Sequence, residues 1–332
     1  MNNTFIIAEI SANHNNDINV AKKTIKAISE SGADAVKIQT YKPESLTLNI
    51  DNEYFGPRKE GLWKGLKPFD VFTEGSLPYE WHKELKLYAE DLGLIFFSTP
   101  FDKNGVDFLE DLNIPIYKIA SFEITDIPLI KYTAEKGKPI IISTGVADLS
   151  DIDLAVSTCR NAGNNDITLL KCTSEYPAPF EKANLLTISN LRDTFNVKVG
   201  VSDHTMGSTI PILSVGLGAK VIEKHFILDR KLGGPDAEFS MEPHEFSAMV
   251  KGVREAEVAL GKIDYEISEQ SKNRRRSIFV SKDLKKGEVI TLNNVKSVRP
   301  GYGIHPKYLD FIIGKKAKSD IKAGTPFDFN MI

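Results

Sequence analysis

The hydrophobic positions along the chain fall into short, nearly unbroken runs separated by longer mixed stretches. The runs cover 5–10, 35–41, 94–100, 116–121, 139–145, 167–174, 197–203 and 221–226. Each is rich in β-branched residues and bounded by turn or cap residues, so each predicts a strand. They are apolar almost throughout rather than alternating, which suits parallel strands buried on both faces. Helical patterns over 19–31, 81–92, 106–112, 127–136, 152–162, 185–195 and 244–260 lie between and after them. Gly32 and Gly93 stand where a helix C-terminus calls for glycine. Eight strand–helix units within about 260 residues predict a (β/α)8 TIM barrel, α/β in class. A doubly wound open sheet is the runner-up, but no G-x-G-x-x-G motif follows any of the strands.

Two features break the rhythm. Residues 43–78 form a long polar and aromatic insertion after the second strand, on the face of a barrel where loops carry function. Beyond 262 the pattern changes. Residues 263–276 are charge-rich and read as a linker, and 277–332 form a small domain with a strand at 278–280, turns at 286–287 and 323–324, and a helical patch at 306–312. A domain of that size is marginal alone and is expected to pack on the barrel or on another subunit.

Composition narrows the function. The 42 basic and 45 acidic side chains leave a formal charge of −3, which gives no support to a nucleic-acid or polyanion surface; Arg274–Arg276 read as solvated linker. The two cysteines, Cys159 and Cys172, fit neither a disulfide scaffold nor a zinc spacing. The N-terminus has no signal-peptide pattern, and no apolar stretch is long enough to span a bilayer, so the expectation is a cytoplasmic protein without membrane attachment.

The chemistry gathers at the C-terminal strand ends, where barrel active sites lie. Glu9 ends the first run, Lys37 and Gln39 the second, and Lys118 and Ser121 the fourth, with Glu123 just beyond. Ser143 ends the fifth; Lys171, Thr173, Ser174 and Tyr176 the sixth; Ser202, Asp203 and His204 the seventh; Glu223 and His225 the eighth. His204 and His225 on neighbouring strands suit a divalent cation with open positions, Mn²⁺ or Mg²⁺. Lys37 and Lys118 sit inside apolar runs, where a charge needs a partner. They pair Glu9 or Glu123, or they bind an anion with Ser121, Ser143 and Ser202. Lys171 fits either description, and a Schiff-base aldolase would also use such a lysine. Glu9, Glu123 and Glu223 are acid/base or substrate-binding candidates. Asp236, in Gly-Gly-Pro-Asp-Ala-Glu-Phe-Ser (233–240), falls on the loop after the last strand. Arg299, presented by a Pro-Gly turn in the small domain, suits a carboxylate or hydroxyls in a neighbour's pocket.

Several segments together resemble the sialic acid synthase family, in order and spacing and over essentially the whole chain. They are Ala-Glu-Ile-Ser-Ala-Asn-His (8–14), Lys-Ile-Gln-Thr-Tyr (37–41), Tyr-Lys-Ile-Ala-Ser-Phe-Glu (117–123), Ser-Thr-Gly (143–145), Lys-Cys-Thr-Ser-Glu-Tyr-Pro (171–177), Val-Ser-Asp-His-Thr (201–205) and Val-Ile-Glu-Lys-His-Phe (221–226). The tail, with Lys-Lys-Gly-Glu (285–288) and Val-Arg-Pro-Gly (298–301), is similar to the antifreeze-like (SAF) domain that follows the barrel in that family. Gly-Leu-Trp (61–63), Pro-Tyr-Glu-Trp-His (78–82), Phe-Ser-Thr-Pro-Phe (97–101) and Gly-Ile-His-Pro-Lys (303–307) look like its pseudaminic acid branch. Ser174 stands where N-acetylneuraminate-forming members tend to carry Asn.

The resemblance implies condensation of phosphoenolpyruvate with an amino-sugar aldehyde, 2,4-diacetamido-2,4,6-trideoxy-altrose, by a domain-swapped homodimer. Carried over by motif, His204 and His225 hold the metal. Lys37, Lys118, Ser121, Ser143 and Ser202 hold phosphoenolpyruvate. Glu9, Glu123 and Asp236 address the sugar or the attacking water, and Arg299 reaches the sugar from the other subunit. Sister synthases of legionaminic or N-acetylneuraminic acid, and a non-enzymatic carbohydrate-binding protein, are the alternatives.

Overall fold

A computed structural model describes residues 3–61 and 63–332; Leu62, within the Gly-Leu-Trp segment, lies outside the described residues. The chain divides into two units, Met1–Gly261 and Lys262–Ile332.

The first unit is a TIM barrel. Its strands are β1 (Phe5–Glu9), β2 (Ala35–Thr40), β3 (Ile95–Pro100), β4 (Tyr117–Ile119), β5 (Ile140–Ser143), β6 (Ile167–Cys172), β7 (Lys198–Asp203) and β8 (Val221–His225). They close in sequence order, all parallel, with β1 pairing both β2 and β8. Most observed strands are a residue or two shorter than the apolar runs. Among the residues outside the ladder, Ser121, Thr144, Thr173 and Ser174 leave it to enter the loops at the C-terminal strand ends.

Helices α1 (Ile18–Glu30), α2 (Pro43–Leu46), α3 (Pro68–Gly75), α4 (His82–Asp91), α5 (Lys103–Asp111), α6 (Ile127–Ala134), α7 (Leu149–Asn161), α8 (Thr187–Phe195), α9 (Thr209–Gly216) and α10 (Pro243–Leu260) complete the barrel unit. Asp17, Asp102 and Asp126 cap α1, α5 and α6 through backbone N–H groups, and Asp148 with Asp151 forms a capping box on α7. Asp102, a polar strand-end residue in the sequence, is thus a helix cap. The insertion is not one loop: it contains α2 and α3.

Two apolar cores explain why the strands lack alternation. Ile6, Ala8, Val36, Ile38, Tyr117, Ile119, Ile142 and Leu169 face the helices. Ile7, Ala35, Phe97, Ile141, Leu170 and Val221 plug the N-terminal half of the barrel interior. Two residues further along, the same inward series turns polar: Glu9, Lys37, Thr99, Ser143, Cys172 and Glu223. The barrel floor is therefore hydrophobic and its upper half is chemical. Gly200 allows the closure between β7 and β8, since a Cβ there would stand 2.1 Å from the Val221 carbonyl oxygen.

In the second unit β9 (Ser277–Val280) pairs antiparallel with β10 (Val295–Val298). Ile278, Val280, Leu284, Ile290, Val295, Ile312 and Phe327 form its own core. Gly287 and Gly324 adopt φ of +84° and +87° at the expected turns.

Candidate active site

The middle layer of the barrel interior is a buried charge cluster. Lys37 forms an ion pair with Glu9, donates to Thr99 Oγ1 at 3.2 Å and lies 3.9 Å from Glu223 Oε1. Lys118 Nζ donates to Ser143 Oγ at 2.7 Å and to the Ile119 carbonyl at 2.9 Å, and stands 4.0 Å from the same Glu223 oxygen. Ser202 Oγ donates to Glu223 Oε1 at 3.2 Å, and Gln39 Nε2 donates to Glu9 Oε1 at 3.1 Å. All four charged side chains are buried. Two carboxylates thus balance two ammonium groups, which removes the cost of an unpaired buried charge.

The electrostatics follow from that packing. Burial pushes Glu9 up, against the opposing pull of Lys37, and the Glu223 carboxylate adds to the rise. Glu223 is also penalised by burial, but Lys118 and Lys37 outweigh it and hold it ionised. Burial lowers Lys118, only partly offset by Glu223. Lys37 stays above its usual range because Glu223 and Glu9 overcome its burial.

Above this layer the strands open into loops. A short turn, Ser121–Glu123, follows β4. Ser121 Oγ accepts from Gly145 N at 3.1 Å. A Cβ on Gly145 would come 2.2 Å from Ser174 Oγ and 2.9 Å from Ser121 Oγ, so glycine keeps these two hydroxyls close together. Glu123 Oε2 is buried without a hydrogen-bond partner among the described residues. Burial raises its carboxyl to about 7, against the lowering effect of Lys118.

The two histidine rings lie 5.2 Å apart at 61°. The His204 Nδ1 bonds the Thr173 carbonyl at 3.0 Å, which puts a proton on Nδ1 and leaves Nε2 as the nitrogen a cation would take, while Cys172 beside the ring outweighs burial and raises the His204 pKa. His225 Nδ1 is buried and unpartnered among the described residues. Burial, with His204 beside it, holds His225 well below the ordinary histidine range, so it is a neutral imidazole. An orphaned ring nitrogen next to a backbone-oriented imidazole is a donor set that fits a divalent cation. Tyr176 and Phe239 pack on these rings, with centroids 4.5 Å and 4.9 Å from His204 and His225 respectively. The Cys172 sulfur lies 3.8 Å from His204 Nδ1, and both cysteines are free.

A cavity of about 650 Å³ stands over these groups. Its lining includes Gln39, Glu123, Ser174, Tyr176, His225 and Asp236 from the candidates. Asp236 comes in on the loop after β8, where Oδ2 accepts from Ala12 N at 3.3 Å and burial raises the carboxyl. The lining also includes residues that sequence reasoning did not single out: Ser11, Tyr41, Arg58, Phe72 and Phe101. Tyr41 and Phe101 each directly follow a strand end, a positional signal that was available. Arg58 and Phe72 belong to the insertion and carried none.

Four candidates are not brought into the interior. Asp203 points away from it, pairing Lys224 Nζ at 2.5 Å and accepting from Thr205 N at 2.9 Å. Its neighbour Ser202 takes the inward position, because successive strand side chains face opposite ways. Thr173 Oγ1 donates to the Lys182 carbonyl at 3.1 Å, so Thr173 serves the site through its own carbonyl on His204 rather than its hydroxyl. Lys171, next to inward Leu170, bonds the Cys172 carbonyl at 2.6 Å, which removes the lysine from the Schiff-base reading. Arg299 belongs to the second unit, where it is exposed.

Comparison with known proteins follows the geometry. Over 325 residues the chain is 47% identical to the pseudaminic acid synthase of Helicobacter pylori, covering 97% of this chain and 95% of that one. It is 40% identical to the N,N'-diacetyllegionaminic acid synthase of Legionella pneumophila, covering 97% and 92%. Among solved structures, the N-acetylneuraminic acid (sialic acid) synthetase of Leptospira borgpetersenii in complex with citrate matches with a TM-score of 0.72 and 34% identity, covering 81% of this chain and 89% of that one. The NeuB family model matches residues 24–265 and the SAF domain model residues 275–332. The chain belongs to the NeuB family, with a SAF domain as its second unit.

Proposed function

We propose that this protein is a cytoplasmic transferase that condenses phosphoenolpyruvate with 2,4-diacetamido-2,4,6-trideoxy-altrose and water, giving pseudaminic acid and phosphate. One observation carries the reading: two buried lysines with serine hydroxyls lie under a cavity whose wall holds a Glu123 oxygen and a His225 nitrogen without partners among the described residues. The identity to pseudaminic acid synthases, higher than to a legionaminic acid synthase, supports the sugar.

In this reading Lys37 and Lys118 bind the phosphate and carboxylate of phosphoenolpyruvate, with Ser121, Ser143 and Ser202 as hydroxyl donors. The aldehyde lies above, against Gln39, Tyr176 and Asp236. His204 and His225 would hold a divalent cation, Mn²⁺ or Mg²⁺, which when bound supplies Lewis-acid polarisation of the aldehyde oxygen. The enol carbon bonds to the aldehyde carbon, and C2 gains cationic character. Glu9 and Glu223 supply compensating negative charge below it. Water adds at C2 and Glu123 accepts its proton, which passes to the alkoxide left on the former aldehyde oxygen, while the C2 hydroxyl proton departs with phosphate. The resulting tetrahedral centre expels phosphate, which stays paired with the lysines until release.

Glu123 suits the proton better than Glu9. Glu9 is held in an ion pair with Lys37 and accepts from Gln39 on Oε1, whereas Glu123 lines the cavity, has no ion pair among the described residues and carries a carboxyl raised to about 7. We include a homodimer in the proposal, with Arg299 of a second copy reaching the sugar.

The test is phosphate release from phosphoenolpyruvate with and without the altrose derivative, in buffer containing Mn²⁺. The expected result is release that is stoichiometric with sugar consumed and silent without sugar. Release from phosphoenolpyruvate alone would make the protein a phosphatase and end the reading.

A further inference from the structure

Part of the cavity wall is built from the insertion and from the two residues that follow β2 and β3, and its chemistry is unlike the charged barrel interior. Three aromatic rings meet there from three elements. Tyr41 follows β2, Phe72 lies on α3, and Phe101 follows β3. The Tyr41 centroid lies 6.2 Å from Phe72 and 5.2 Å from Phe101, both edge-on. The Tyr41 phenol is buried and burial pushes its pKa up, so the ring is neutral. Gly75 makes room for it, since a Cβ there would stand 3.0 Å from Tyr41 Oη.

Beside this apolar corner a loop turns back on itself. Arg58 N donates to the Leu66 carbonyl at 3.0 Å, and Gly65 N donates to the Arg58 carbonyl at 2.8 Å. The Arg58 guanidinium lies over the Trp63 ring, 5.4 Å from its centroid, and Trp63 Nε1 donates to the Pro235 carbonyl at 3.3 Å. The loop is thereby fastened to the segment that carries Asp236. The cation–π contact holds the guanidinium beside the Trp63 ring, so its donors need less ordering on binding. Glu60 and Glu175 line the same cavity. One guanidinium with two carboxylates disfavours an anion there and suits a neutral ligand with amide groups.

We propose that this wall is the specificity subsite for the non-reacting end of the acceptor sugar: Arg58 donates to the carbonyl of its 4-acetamido group, and Tyr41, Phe72 and Phe101 enclose its deoxygenated C6 methyl. The proposal rests on the function proposed above. An apolar corner takes a methyl readily and leaves the hydroxyl of a hydroxymethyl group unpaired. Discrimination at C6 therefore comes from the rings, and discrimination at C4 from the arginine.

The experiment measures kcat/KM for phosphate release with three acceptors: the 2,4-diacetamido-2,4,6-trideoxy sugar, its 4-hydroxyl analogue and its 6-hydroxyl analogue. Wild type is compared with Arg58→Met and Phe72→Ser. Arg58 is exposed and Phe72 half-buried, so both variants are expected to fold. Arg58→Met should lose about 10- to 100-fold with the diacetamido sugar, the range for one hydrogen bond to a charged group, and under threefold with the 4-hydroxyl analogue. Phe72→Ser should narrow the preference for the 6-deoxy sugar over its 6-hydroxyl analogue about tenfold or more. Phosphoenolpyruvate affinity, read by calorimetry, should stay unchanged in both. Equal losses across all acceptors, or unchanged selectivity in both variants, would overturn the subsite while leaving the reaction intact. A wild-type protein active with none of the acceptors would overturn the function and the subsite together.

Discussion

Glu123→Gln is expected to lower kcat by about 10²- to 10⁴-fold, the usual range for removing a positioned base. The variant keeps the shape and removes only the proton acceptor, so KM for phosphoenolpyruvate should change little. The pH dependence separates this from a structural effect. A base must be ionised, and burial sets this carboxyl at about 7. Wild-type kcat should therefore fall about tenfold per pH unit below that value, and the Gln variant should lack this acidic limb.

Stability moves the other way. A carboxyl whose folded pKa lies above its unfolded value of 4.5 favours folding in its protonated form. That contribution is complete below 4.5 and is lost as pH rises to about 7, a swing on the order of 3 kcal/mol. Glu123→Gln should thus match wild type near pH 4 and exceed it at pH 8 in thermal melting. A variant that keeps its acidic limb, or gains no stability at pH 8, would take the base assignment away from Glu123.

Lys37→Met is expected to destabilise the barrel by about 3–5 kcal/mol, because it strands Glu9 as an uncompensated charge in a dry interior. The paired variant Lys37→Met with Glu9→Gln removes both charges and should recover most of that loss, read as the urea midpoint of the barrel's unfolding transition. Activity should not recover with it. With one of the two cations gone, KM for phosphoenolpyruvate should stay raised at least about tenfold, the minimum for a lost hydrogen bond to a charged group. Recovery of both stability and KM in the double variant would make Lys37 a structural counter-ion only.

The fold was legible because both faces of the strands are buried, which makes each strand an apolar run, and because polar residues gather at one end of each run. That same double burial hid the side-chain parity. Ser202 with Asp203, and Glu223 with Lys224, are adjacent polar pairs, and only the closed barrel shows which member faces inward. Asp203 reads as a site residue for this reason, although it faces outward and pairs Lys224. Helix α9 escaped the periodicity because it is apolar nearly all round, packed against both β7 and α10, and so has no polar stripe to set a period of 3.6. The charge cluster was readable as residue types at strand ends. Its pairing was not, since Glu9 with Lys37 and Glu223 with both lysines depend on register across the barrel. Phe72 and Arg58 come from an insertion without periodicity, and their meeting with Tyr41 and Phe101, which follow strand ends, comes from tertiary packing alone.

The most direct measurement is product analysis by mass spectrometry after incubating the protein with Mn²⁺, phosphoenolpyruvate and an equimolar mixture of the altrose derivative, its legionaminic counterpart and N-acetylmannosamine. The account predicts pseudaminic acid as the dominant product, with phosphate released in equal amount. A dominant product from either other sugar would contradict the substrate, and no condensation product from any of them would contradict the reaction itself.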